Sequence, residues 1–124
     1  MFKTITFIKR RPGLSMAELI EGYETHHRKI GDKHLAGRAT RYARLYLHPM
    51  PGDGTSETPE SDVDVVLEIW FPDRAAFEAA NQALSPEVAA EIAADEVRWF
   101  DRSSIRAFIV EEHQSDLSAP ATGA

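Results

Sequence analysis

A chain of 124 residues, 43% hydrophobic and 27% charged, has the size and balance of one globular domain with its own core. Its 14 lysines and arginines against 20 acidic residues leave a net charge of -6, so no basic excess exists to neutralise phosphates, which argues against nucleic acid as a partner. There is no cysteine, which excludes disulfides, thiolate catalysis and cysteine-ligated zinc.

Phe2 to Lys9 is rich in β-branched and aromatic residues and predicts a strand. Lys9, Arg10 and Arg11 read as its charged end, and Pro12-Gly13 closes it. Ser15 to Ile30 predicts a helix with complete start signals. Ser15 and Glu18 have the spacing of a capping box, and Leu14 and Leu19 that of a hydrophobic staple. Ile20, Tyr23, His27 and Ile30 follow at helical steps as the expected inward stripe, with Gly31 and Gly37 bracketing a frayed end.

Thr40 to His48 alternates and predicts a second strand, with Tyr42, Arg44, Tyr46 and His48 on one side. Pro49 to Asp62 has almost no apolar content and reads as a long loop. Val63 to Phe71 is apolar enough for a central strand. Asp73 is placed to cap a helix with Phe77, Ala80 and Leu84 inward. Ser85-Pro86 starts another, with Val88, Ile92, Asp95 and Trp99 as its stripe. Ile105 to Val110 predicts the last strand.

The order β-α-β-β-α-β predicts an α+β, ferredoxin-like domain over residues 1–112 with an antiparallel four-stranded sheet. Residues 113–124 are small and polar and read as a flexible C-terminal tail. Val65, Leu67, Ile69 and Phe71 on one side of the third strand, and Val66 and Trp70 on the other, give the sheet two apolar faces. Helices cover one face. A second copy of the sheet would cover the other, so a homodimer forming an α+β barrel is expected. No apolar run approaches the ~20 residues of a membrane span, and the start lacks the form of a signal peptide; a cytoplasmic protein with no membrane partner is expected.

The candidate site centres on His27. Imidazole on an inward stripe is either a satisfied core group or the acid/base of an apolar pocket, where burial favours the neutral, proton-accepting form. His26 lies about 100° around the helix and is at most a pocket-wall residue. Tyr23, Tyr42 and Tyr46 suit an aromatic or oxygenated ligand, or else are simple packing. Glu68 and Trp70 share a strand face; Glu68 needs a partner, for which Arg44 is a candidate. Asp95 sits on an inward stripe near a helix C-terminus, where the dipole disfavours a carboxylate. It therefore has a specific donor or a function, and orienting His27 would satisfy both. No histidines or carboxylates stand at metal-ligand spacing and no dinucleotide fingerprint is present, so neither metal nor cofactor is expected.

The residues together resemble the EthD family across nearly all of residues 1–113. FIKRRPGLSMAEL is similar to the family's strand–KxxPG(L/M)S–helix opening. Tyr23-Glu24-Thr25-His26-His27 resembles its Y/W-x-x-x-H, which places the family histidine at His27. Arg41-Tyr42, Glu68-Ile69-Trp70-Phe71, Asp95 to Asp101 and Val110 to His113 resemble later family segments in the same order. Arg28 and Lys29 depart from the proline and apolar residue that often follow the histidine. The resemblance implies a dimeric α+β barrel. Relatives are tied to ether degradation, others to dehydration or decarboxylation of aromatic polyketides, and cofactor-free monooxygenases and lactone isomerases share the barrel.

These readings lead to one expectation: a small, cofactor-independent EthD-type lyase, dehydratase, decarboxylase or isomerase acting on a hydrophobic, oxygenated, aromatic or polyketide-like molecule. His27 would move the proton, with Tyr42, Tyr46 and Asp95 in support and Tyr23, His26, Glu68 and Trp70 binding substrate. The alternatives are an oxidoreductase (a cofactor-free monooxygenase or an accessory protein of ether degradation) and a non-catalytic dimeric carrier of a hydrophobic ligand.

Overall fold

The structure, a computed structural model, describes residues 1–50 and 60–120. Strand β1 (Phe2–Arg10) leads into helix α1 (Met16–Gly22), a π turn (Tyr23–His27) and helix α2 (Arg28–Leu35). Strands β2 (Arg41–Tyr46) and β3 (Val65–Phe71), helices α3 (Arg74–Gln82) and α4 (Pro86–Trp99), and strand β4 (Phe100–Val110) follow. The antiparallel sheet has the order β2-β3-β1-β4. This is the expected α+β, ferredoxin-like architecture. Most of the long loop, residues 51–59, lies outside the described residues, as do residues 121–124 of the tail.

The helix starts are built as their sequences specify. Ser15 Oγ accepts from Glu18 N at 3.1 Å and Glu18 Oε1 accepts from Ser15 N at 3.0 Å, closing the capping box. Leu14 and Leu19 are both in the core cluster with Ile8, Tyr23, Val65 and Phe100. Asp73 caps α3 through Ala76 N, and Ser85 caps α4 through Val88 N.

Two sequence expectations are corrected here. The first helix does not fray at Gly31 but runs on to Leu35. It stops where Gly37, at φ +76°, takes the left-handed conformation that glycine adopts without strain. The buried stripe is also not Ile20, Tyr23, His27 and Ile30. Leu19, Tyr23 and His27 are buried, while Ile20 and Ile30 are intermediate. Four-residue steps in a pure α-helix drift by about 40° each. The wider π turn at Tyr23–His27 takes up part of that drift, so one side of the helix stays against the sheet.

Strand alternation sorts the sheet into two faces. Thr4, Leu67, Ile69, Tyr42 and Tyr46 lie towards the helices. Ile5 and Phe7 of β1, Leu45 of β2, Val66, Glu68 and Trp70 of β3, and Phe108 of β4 lie on the opposite face. Among the described residues no element covers that outer face: Leu45 and Phe108 are 38% and 50% exposed. No helix among them is long and apolar enough to cross a membrane.

Candidate active site

Between α2, α3, α4 and the inner sheet face lies a cleft of about 220 Å³. Its walls are mainly apolar, from Leu35, Leu67, Ile69, Phe77, Leu84 and Ile92. Its polar lining groups include Tyr23, His27 and Tyr42. A mostly apolar concavity with few convergent polar groups is the form that small-molecule sites take.

His27 reaches the cleft from the end of the π turn and is only 8% exposed. Its Nδ1 lies 2.9 Å from Asp95 Oδ2. The Asp95 carboxylate also accepts from Trp99 Nε1 at 3.2 Å and from Arg98 Nη1 at 3.0 Å. Burial pushes the Asp95 carboxyl up, but the bonds from His27, Trp99 and Arg98 and the nearby imidazole outweigh it and hold the pKa below the ordinary value. An ionised Asp95 only accepts, so Nδ1 carries the proton and the lone pair of a neutral ring sits on Nε2. Among the described residues Nε2 has no hydrogen-bond partner, and it is not sealed from solvent. This is the arrangement of a base held by its orienter.

Trp99 buttresses that arrangement because Gly22 has no side chain. A Cβ at Gly22 would stand 2.0 to 2.4 Å from the Trp99 ring. The indole therefore packs directly against the helix at Gly22, stacks on His26 at 5.8 Å, and aims Nε1 at Asp95.

Tyr23 and Tyr42 share a hydrogen bond of 2.7 Å between their hydroxyls. Tyr23 is fully buried and, among the described residues, Tyr42 is its one hydroxyl partner. A buried hydroxyl that only accepted would leave its own proton unpaired, so Tyr23 donates and the Tyr42 O–H is free for the cleft. Burial pushes both phenols above their ordinary pKa, which keeps them protonated donors. Gly31 makes room for this as well: a Cβ there would stand 2.7 to 2.9 Å from the end of the Tyr42 ring.

Glu24 organises a second network beside Tyr42. It accepts from Arg44 Nε at 2.7 Å and Nη2 at 3.0 Å, a bidentate pair, and from the Tyr46 hydroxyl at 2.6 Å. Arg44 holds the Glu24 carboxyl below its ordinary pKa, with Tyr46 assisting against burial. Burial, then the bond to Glu24 and its charge, push the Tyr46 phenol far up. Arg44 also lies over the Tyr42 ring at 4.9 Å.

The structure thus gathers His27, Asp95, Tyr23 and Tyr42 in one place. Tyr46 is adjacent, but its hydroxyl is committed to Glu24. His26 stacks on Trp99 and does not line the cleft. Glu68 and Trp70 lie on the outer sheet face, away from the cleft. The partner expected for Glu68 is corrected: it pairs with Arg41 at 3.1 Å, while Arg44 belongs to Glu24. The two arginines sit on opposite faces of β2, which separates them. Sequence reasoning did not single out Glu24, Gly22 or the π turn, and it placed Gly31 only at a helix end. Glu24 lies three residues before His27, and Arg44 and Tyr46 share a strand phase, so helical and strand periods held that clue. Among the described residues no three histidine or carboxylate groups come together in a way that could hold a metal.

The model of the EthD domain matches residues 11–103. The chain belongs to the EthD family. Among solved structures, an ethyl tert-butyl ether d (ethd) family protein from Bacillus halodurans C-125 superposes with a TM-score of 0.62 at 16% identity, covering 91% of this chain and 100% of that one. The protein At3g17210 from Arabidopsis thaliana superposes with a TM-score of 0.59 at 11% identity, covering 94% of this chain and 100% of that one. At these identities the likeness is one of fold. A search of curated proteins finds no match.

Proposed function

We propose that this EthD-family protein is a cofactor-independent enzyme that removes a proton from carbon next to a carbonyl, or from a phenol, of a hydrophobic oxygenated molecule bound in the cleft. The observation that carries this reading is the 2.9 Å contact between His27 Nδ1 and Asp95, which leaves Nε2 as a base in an apolar cleft. Nε2 takes the proton, and the C–H electron pair passes into the enolate. The oxygen gains negative charge and is met by the Tyr42 O–H, whose own oxygen accepts from Tyr23. Asp95 stabilises the imidazolium until the proton is returned to the enolate, at the same or another atom. Elimination and isomerisation share this first step.

The same reading has the protein working as a homodimer, packed through the outer sheet face. The exposed apolar Leu45 and Phe108 on that face support it.

Proton exchange tests the chemistry directly. With 2-tetralone, a two-ring ketone, in D₂O, NMR should show faster loss of the α C–H signal with protein than without. His27→Gln should remove that acceleration by about a hundredfold or more, with ligand affinity kept within about tenfold. A ketone that binds in the cleft and exchanges no faster than in buffer would overturn the enzyme reading and leave a carrier.

A further inference from the structure

Resting on the reading of the cleft as a ligand site, we infer that the far end of this cleft is an anion subsite, so that the ligand is an amphipathic monoanion with its carboxylate about 10 Å from the atom that meets His27. The distance follows from α2. His27, Gly31 and His34 all line the cleft, and seven helical residues rise about 10 Å.

His34 is the hinge of the argument, because it lines both the apolar cleft and a neighbouring groove. That groove is walled by Lys33 and Arg38 on one side and by Val88 and Glu91 of α4 on the other. Neither Lys33 nor Arg38 has a carboxylate within 4.0 Å among the described residues, and the side chain of His34 has no hydrogen-bond partner among them. In a chain of net charge -6, the apolar cleft therefore shares its His34 wall with a groove that carries two cations, neither paired among the described residues. Glu91, on the opposite wall, reduces this field and favours one negative charge over two. An apolar body between the His27 base at one end and cations at the other selects a rigid acid: a ring system with an enolisable carbon or phenolic oxygen at one end and a carboxylate at the other.

The test uses full-length protein and two fluorescent probes of one shape, 6-hydroxy-2-naphthoate and its neutral amide, 6-hydroxy-2-naphthamide, titrated at low salt. The wild type should bind the carboxylate at least about fivefold more tightly, and ~1 M salt should erase the difference. The double variant Lys33→Gln/Arg38→Gln should lose the preference and keep its affinity for the amide. Glu91→Gln should enlarge the preference by about twofold. Equal affinities in the wild type would overturn the subsite. So would a double variant that is less heat-stable but keeps the preference, since the cations would then serve only the C-terminus of α2.

The cleft reading is tested separately by Ile69→Trp, which fills the cavity, with Leu84→Trp near its edge if the first does not fold. Amide binding that survives the filling variant, or no binding of either probe to the wild type, would overturn the cleft reading and the subsite with it. Amide binding abolished by the filling variant, with no carboxylate preference, would overturn the subsite alone.

Discussion

The two faces of the one sheet are built from neighbouring residues of the same strands, yet they solve opposite problems. On the inner face the polar groups are wired together: Tyr42 to Tyr23, and Arg44 and Tyr46 to Glu24. Behind the cleft, Asp95 is wired to His27, Trp99 and Arg98. Among the described residues no buried side-chain polar atom lacks a partner. On the outer face Lys3 and Arg41 lie over the Trp70 ring at 4.0 and 4.9 Å, and Leu45 and Phe108 stand half-exposed. A wired face fixes positions to a fraction of an ångström, which proton transfer requires. An apolar face with charges at its edges fixes nothing until it meets another surface. A one-residue slip in register would exchange the two sets.

Breaking the inner wiring should have the largest effect. Asp95→Asn keeps the shape but can present its NH₂ to Nδ1, stabilising the tautomer with its proton on Nε2. The 2-tetralone exchange rate should fall by about a hundredfold or more, while affinity changes little. An exchange rate within threefold of wild type would remove Asp95 from the proposed mechanism.

Gly22→Ala reaches the same wiring from behind. Glycine to alanine within a helix ordinarily gains up to ~1 kcal/mol. Here the new Cβ would overlap the Trp99 ring, so we expect the opposite sign, a loss of about 2 kcal/mol by urea unfolding. The Trp99 indole must also leave Asp95, which tryptophan fluorescence would report. A stabilised Gly22→Ala would contradict the close packing on which the buttress depends.

The outer face should answer to charge rather than to shape. Leu45→Glu with Phe108→Glu places two carboxylates on the proposed dimer interface at positions already 38% and 50% exposed in one protomer. Sedimentation should show a dimer for the wild type and a monomer for the variant, with the cleft ligand-competent and protomer stability changed by less than about 1 kcal/mol. A wild type that sediments as a monomer would remove the homodimer.

Much of this division was legible in the sequence because strand alternation is local. Period two puts Tyr42 and Tyr46 on one side of their strand, and Val66 and Trp70 on one side of theirs, as the structure has them; how the two strands match in phase is not local, and pairing Arg44 with Glu68 joins two sides that the structure sets on opposite faces. Caps were legible for the same reason: Ser15, Asp73 and Ser85 act within three residues of themselves. The His27–Asp95 contact spans 68 residues, and sequence reasoning reached it only as a need: a carboxylate near a helix C-terminus requires a donor. The π turn has no local signature in the sequence; Tyr23 and His27, at its two ends, are both buried. The predicted stripe therefore slipped to Ile20 and Ile30. Gly31 misled more directly. The sequence places it, with Gly37, at the frayed end of the helix, whereas its missing side chain makes room for a tyrosine that arrives from a strand. Glycine has both uses, and only the three-dimensional neighbour decides between them.

The smallest expected effect separates wiring from mere pairing. Glu24 has a folded-state pKa below its ordinary value, chiefly because of Arg44. Its contribution to stability is therefore complete at neutral pH. It is lost as pH falls below about 4.3, the unfolded value, and through the lower folded one. Asp95 contributes with the same sign from about 3.9 downward. The Glu24 side chain is 35% exposed, so solvent screening limits its share to about 1 kcal/mol. Glu24→Gln should lower unfolding free energy at pH 7 by about that amount and flatten the acid limb of the stability curve. The two curves should converge only below the lowered folded-state pKa, where the wild-type carboxylate is neutralised. Because the glutamine carbonyl still accepts from Tyr46 or Arg44, the cleft should keep its shape, and the exchange rate should change by less than about threefold. A much larger loss of rate with the same small loss of stability would mean that the Glu24 charge, and not only its geometry, acts on Tyr42 through Arg44.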